Sequence, residues 1–139
     1  MNAERKRLVQ ESWEAIARNH DRVAVAFYDR LFEIDAGARA LFAKTNMSAQ
    51  RGKLVQMLGE IVRNLDMPRE LIPTVSALGR RHVDYGVSDA DYDRVREALF
   101  TALAAEVGPS FTDEVRDAWE EAYALTAAVM KRGAHTVSS

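Results

Sequence analysis

The chain has 139 residues, 47% of them hydrophobic, enough for one compact domain enclosing a core and one cofactor and too short for a second catalytic domain. Its 19 basic and 21 acidic residues leave a formal net charge of -2, without the excess that draws a protein to phosphate backbones or anionic lipids, so no nucleic acid and no membrane is expected as a partner. With no cysteine, disulfides, thiolate metal sites, iron–sulfur clusters and cysteine nucleophiles are excluded.

The charged N-terminus, Met1 to Arg7, has no apolar run behind it, and the cytoplasm is the expected location. No repeat or low-complexity tract breaks the chain, and 7 Gly and 3 Pro leave few interruptions between helical patterns. The spacing predicts an all-α fold. Leu8, Val9, Trp13 and Ile16 mark a first amphipathic helix. A second begins near Asn19-His20-Asp21, where Asp or Asn can cap, and carries Ala24, Phe27, Tyr28 and Leu31 inward. A short Gly-containing segment from Ala36 to Phe42 leads to Thr45-Asn46-Met47-Ser48, a loop that delivers an N-cap. The helix after it bears Leu54, Met57, Leu58, Ile61, Val62 and Leu65 on one stripe.

Pro68 fits the start of the next helix, on which Leu71, Val75, Leu78, His82 and Tyr85 share a face, and Gly86 can stop it. Ser88-Asp89-Ala90-Asp91 resembles a capping segment for a helix with Val95, Leu99, Ala102 and Leu103 inward, ended by Gly108-Pro109. The last helix starts at Ser110 or Thr112, carries Val115, Trp119, Ala122, Leu125 or Thr126, and Val129, and frays into Gly133, so residues 1–132 form the domain and 133–139 a polar tail.

Of the three histidines, only His82 sits within a helical apolar stripe. It is either a core histidine hydrogen-bonded to a backbone carbonyl or a metal ligand. His20 at a helix start and His135 in the tail are poorly placed to complete a zinc site with it. A haem iron needs only one protein ligand, because the porphyrin supplies four nitrogens. Gln50 stands one turn before Leu54 on the long helix, and Tyr28 faces inward on its own, where its hydroxyl needs a partner. Paired carboxylates, a Ser–His pair, Gly-rich phosphate loops and calcium-loop spacing are all missing.

Four segments occur in a telling order: Phe27-Tyr28-Asp29-Arg30-Leu31-Phe32, Leu41-Phe42, Gln50-Arg51-Gly52-Lys53-Leu54, and Leu78-Gly79-Arg80-Arg81-His82-Val83-Asp84-Tyr85-Gly86-Val87. Together with Ala118-Trp119-Glu120-Glu121-Ala122-Tyr123 they make the chain, from the first helix to Met130, resemble the bacterial single-domain globins and the globin half of flavohaemoglobins. The resemblance implies a globin fold around haem b (iron protoporphyrin IX), with His82 as the proximal iron ligand and Phe42 packed against the haem plane. It further implies that Tyr28, Gln50 and Leu54 line the distal ligand pocket, and that Lys53, Arg81, Tyr85, Val87, Tyr92, Val95 and Leu99 help to hold the cofactor.

In flavohaemoglobins a tyrosine and a glutamate form a polar network with the proximal imidazole. Tyr92 matches the tyrosine, whereas Thr136 stands where the glutamate would be. The activity implied is reversible binding of O2, with CO and NO as further ligands, at a five-coordinate iron. The alternatives are nitric oxide dioxygenation with an unidentified external reductase, a haem-based sensor, or a signalling protein of this fold without haem. A homodimer is left open, since an exposed helix face and a dimer face look alike in sequence.

Overall fold

Five of the seven helix starts in the computed structural model are traceable to a particular capping side chain. The structure describes the backbone of residues 1–84 and 88–138, and the side chains of residues 1–79, 88 and 90–132. Among the described residues the regular structure is helical throughout, in the order α1 (Ala3–Ala15), α2 (His20–Ile34), α3 (Ala36–Leu41), α4 (Met47–Arg63), α5 (Pro68–Asp84), α6 (Asp89–Val107) and α7 (Asp113–Ser138). Single 3-10 turns, Ala17–Asn19 and Gly108–Ser110, precede α2 and α7.

Asn2 Oδ1 accepts from the Arg5 N–H at 2.8 Å, Asp35 Oδ1 from the Gly37 N–H at 3.0 Å, and Asn46 Oδ1 from the Ala49 N–H at 3.2 Å, so α1, α3 and α4 each begin on an Asn or Asp cap. Thr112 Oγ1 accepts from the Val115 N–H at 3.3 Å and sets the start of α7. At α6 the Ser88 N–H donates to Asp91 Oδ2 at 2.8 Å, the reciprocal arm of a capping box. That bond, the foremost influence, holds the Asp91 carboxyl below the usual range, aided by the Ser88 hydroxyl and by Arg94.

Three elements differ from the sequence expectation. The segment after Asp35 is a short helix rather than a connector, because Asp35 caps it. Neither Asn19 nor Asp21 caps α2; instead His20 Nε2 donates to the Trp13 carbonyl at 2.9 Å and the His20 ring stacks on Trp13 at 3.8 Å, closing the α1–α2 corner. The backbone of α7 is helical to Ser138, past Gly133.

Packing follows the apolar stripes. α2 lies along α6, α5 along α7, and α1 bridges α7 and α4. The main core gathers Val9, Trp13, Val23, Phe27, Leu31, Leu99, Leu103 and Trp119, and a second, separate cluster joins Val75, Leu78, Tyr92, Ala127 and Met130. α4 contributes to both, Leu54 and Leu58 to the first and Met57 and Ile61 to the second, yet of its expected stripe only Val62 is buried and the rest is half-buried. α4 and α5 touch only sparsely.

α5 meets α7 at Gly79, where the Met130 backbone carbonyl occupies the place a Cβ would take. Only a residue without a side chain allows this approach. Gly108, with φ 70°, ends α6 in a conformation that L side chains rarely adopt.

Two predictions follow from this packing. Gly79→Ala should lower stability in urea unfolding by about 1–3 kcal/mol, the range for forcing extra volume into a packed contact. Gly52→Ala, inside α4 with nothing within 4 Å of the new Cβ, should raise it by about 0.5–1 kcal/mol. Equal effects of the two would discredit the α5–α7 contact. Asp91→Ala should cost about 1 kcal/mol near neutral pH through loss of the cap. Because the folded carboxyl is depressed, its stabilisation is complete above about pH 4, the ordinary aspartate value, and disappears as pH falls through the lower folded value. Unfolding curves of the variant should therefore be flatter on the acid side than those of the parent.

Candidate functional site

Helical spacing turns Ala24, Phe27, Tyr28 and Leu31 of α2 to the core, and Tyr28 ends up 5% exposed. The Asn46 cap fixes where α4 begins, so Gln50 falls in its first turn, with its own N–H bonded to the Asn46 carbonyl at 3.0 Å. From there Gln50 Nε2 donates to the Tyr28 hydroxyl oxygen at 3.2 Å. The Phe42 ring meets Tyr28 edge-on at 5.6 Å, and Phe32 lies 5.9 Å from both rings. Leu54, one turn beyond Gln50, packs half-buried on the same cluster.

The result is two polar side chains in an apolar surround. Burial pushes the Tyr28 phenol above its ordinary value, an effect partly offset by the Gln50 amide. Since the Tyr28 oxygen is the acceptor towards Gln50, its own proton remains to be donated, and among the described residues it meets no acceptor.

Tyr28, Gln50, Leu54 and Phe42, distant in sequence, are thus brought together. Lys53 is exposed on α4 and forms no ion pair among the described residues. On α6, Leu99 is buried and Val95 half-buried against the main core, while Tyr92 belongs to the second cluster beside Val75 and Leu78 of α5. The backbone of His82 and Arg81 is part of α5, one turn beyond Leu78; their side chains lie outside the described residues, as do Tyr85, Gly86, Val87 and the side chain of Thr136.

Three contacts were not expected. Phe32 completes the aromatic group around Tyr28, and its position four residues after Tyr28 on α2 was the available signal. Lys131 Nζ stands 5.0 Å from the centroid of the Tyr92 ring, and the Tyr123 hydroxyl donates to the Tyr92 carbonyl at 2.5 Å. No local pattern announces either, because both join α6 to α7. Glu121, the last acidic residue of the sequence, is held by Arg5 at 2.9 Å.

The globin family model matches residues 25–130. Among curated proteins, the chain is 27% identical to a neuroglobin of Danio rerio, over 92% of this chain and 89% of that protein. It is 30% identical to an anaerobic nitrite reductase of Oryza sativa subsp. indica, over 89% of each. It is also 28% identical to a flavohemoprotein of Rhodopirellula baltica, over 87% of this chain but 30% of that protein. A solved structure of an engineered carbene transferase, made from a putative nitric oxide dioxygenase of Rhodothermus marinus, superposes with a TM-score of 0.88 at 26% identity, covering 99% of this chain and 96% of that one. With the helix order, the aromatic and polar group around Tyr28 and the matched residues in agreement, the chain belongs to the globin family, a family of haem-binding proteins.

Proposed function

We propose that this globin holds haem b in the space between α4 and α5, through His82, and binds oxygen reversibly on the side of Tyr28 and Gln50. The observation that carries the proposal is the Tyr28–Gln50 hydrogen bond, which leaves the Tyr28 hydroxyl proton without an acceptor among the described residues, with Phe32 and Phe42 beside the Tyr28 ring and Leu54 packed on the same core. The residues fit the group in a second respect: the apolar side chains fall into two clusters, with α4 and α5 only sparsely in touch. When bound, the haem supplies the iron at which a diatomic gas is taken up.

The chain's own side chains do the rest. Phe42 and Leu54 keep water away from the gas, and Tyr28 offers its proton to a ligand that gathers negative charge. Gln50 holds the Tyr28 hydroxyl in place and has one further N–H to offer. Since burial moves the phenol still further above neutrality, this donor stays protonated throughout the physiological range. With glutamine rather than histidine at position 50, that position offers no second imidazole, and an unliganded ferrous iron held by His82 would be five-coordinate.

The likeness to the putative nitric oxide dioxygenase and to the flavohemoprotein favours a second activity, in which oxygen, nitric oxide and one electron give nitrate. The chain covers 30% of that flavohemoprotein, and in this reading the electron is supplied by a reductase. Among the described residues no helix is long and apolar enough to cross a membrane, in keeping with a place in the cytoplasm.

His82→Ala should purify with little haem and a lost Soret band, and full haem content with an unchanged ferrous spectrum would refute the axial assignment. A hydrogen bond to a charged group is worth roughly 1.5–3 kcal/mol. At 1.4 kcal/mol per decade, Tyr28→Phe should speed oxygen release about ten- to hundredfold and alter carbon monoxide binding far less. Gln50→Leu should act in the same direction more mildly, and oxygen release by the parent should change little between about pH 5 and 8. Stopped-flow dissociation decides it: an off-rate of Tyr28→Phe within about twofold of the parent removes the tyrosine from this role.

A further inference from the structure

Charge is unevenly spread along this nearly neutral chain. From Ala36 to Gly59, through α3 and most of α4, there are four cations, Arg39, Lys44, Arg51 and Lys53, and no acidic residue, although Asp and Glu number 21 overall. From Glu106 to Glu121 the balance is reversed, with six acids and Arg116 alone opposing them. The two regions lie in different parts of the packing, α3 on α2 and α7 on α5 and α1.

Outside this stretch six of the eleven arginines with described side chains pair with a carboxylate, Arg116 with Glu120 among them, whereas Arg18, Arg22, Arg63 and Arg69 have none within 4.0 Å among the described residues. Arg5, Arg7, Arg30, Arg94 and Arg96 each pair with a carboxylate. Arg39 and Lys44, by contrast, are exposed and have no carboxylate within 4.0 Å among the described residues; the Arg39 guanidinium rests 5.9 Å from the Phe32 ring centroid. Asp35, the nearest acid in sequence, is committed to the Gly37 N–H and to Arg94 at 3.8 Å.

Between the two cations is Leu41, which at 54% has the highest exposure among the exposed large hydrophobic side chains of the described residues. A solvent-facing leucine with unpaired cations on either side has the make-up of a docking surface, an apolar centre with a charged rim. Met67, Ile72 and Leu125 are the next most exposed; Met67 and Ile72 stand among charges of both signs, Asp66, Arg69 and Glu70, and Leu125 has no cation within five residues of it in sequence. The residue after Leu41 is Phe42, whose ring reaches Tyr28, so this surface is one residue removed from the site.

We propose that the α3–α4 corner, with Leu41 at its centre and Arg39 and Lys44 beside it, docks the acidic face of an electron-donating protein. Unpaired cations attract an acidic surface and speed encounter, while Leu41 supplies the contact that holds the complex once formed. A donor seated there lies next to Phe42, whose ring touches Tyr28, and electron transfer falls steeply with distance. That the partner is an electron donor rests on the haem reading above; that it is acidic rests on the charges alone.

The test uses flavodoxin hydroquinone, an acidic one-electron protein donor, mixed with the ferric holoprotein in a stopped-flow instrument. The double variant Arg39→Glu, Lys44→Glu should be reduced about tenfold or more slowly than the parent at low ionic strength, with the gap closing at about 1 M salt. Leu41→Ser should slow reduction at every salt concentration. The neutral photogenerated 5-deazariboflavin radical should reduce all three proteins alike, which shows that the redox centre is intact.

Rates for the double variant within about twofold of the parent at low salt, or an equal loss with the neutral radical, would overturn the proposal. Amide NMR shifts induced by oxidised flavodoxin give a readout without electron transfer. Shifts confined to residues 36–47 in a chain without a Soret band would uphold the docking surface and end the haem reading, whereas a normal Soret band without such shifts would end the docking surface alone.

Discussion

A tyrosine 5% exposed, its ring set among Phe27, Phe32 and Phe42, carries a desolvation penalty at its hydroxyl unless something bonds to it, and in this chain that something comes from another helix. The bond from Gln50 therefore does more than satisfy one oxygen. It fixes the first turn of α4 against the middle of α2, at the register set by the Asn46 cap, and so defines the near wall of the site. Were Tyr28 a phenylalanine, the wall would still be apolar, but it would present no proton to a ligand and hold Gln50 by packing alone.

The remainder of the molecule supports that arrangement from behind. α2 is braced on α6 by Arg30 and Glu97 at 2.7 Å, and α1 carries α4 through Gln10, whose amide donates to the Val62 carbonyl at 3.0 Å. Trp119 donates to Ser12 at 2.9 Å and joins α7 to α1. Polar ties of this kind contribute modestly to stability, about 1 kcal/mol each. Their value lies in fixing which faces of the helices meet, a matter the non-directional burial of leucine and valine leaves less sharply specified.

The sequence makes legible what repeats along one helix or sits at its end. The apolar stripes of α1, α2, α6 and α7, and the stops and starts at Asn46, Ser88, Gly108 and Thr112, follow from helical period and from the chemistry of caps. Tyr28 and Gln50 were singled out by inward spacing and by resemblance, and the structure puts them in contact. Contacts across helices were not legible: His20 reaching back to the Trp13 carbonyl, Lys131 over Tyr92, and Gly79 against Met130. Each depends on how two helices approach, which no single stretch of sequence encodes. Nor did spacing foretell that most of the α4 stripe is only half-buried, since periodicity gives the direction of a face and not what lies opposite it.

The meeting of Gly79 with the Met130 carbonyl has a mechanical meaning. Side chains packed between two helices can change rotamer and let the helices draw together or apart, whereas backbone against backbone leaves nothing to yield. α5 therefore rests on α7 as on a stop. It cannot come closer, nor slide along α7 without bringing a Cβ against the Met130 carbonyl, and strain placed on α5 near this contact is passed directly to the last helix of the chain.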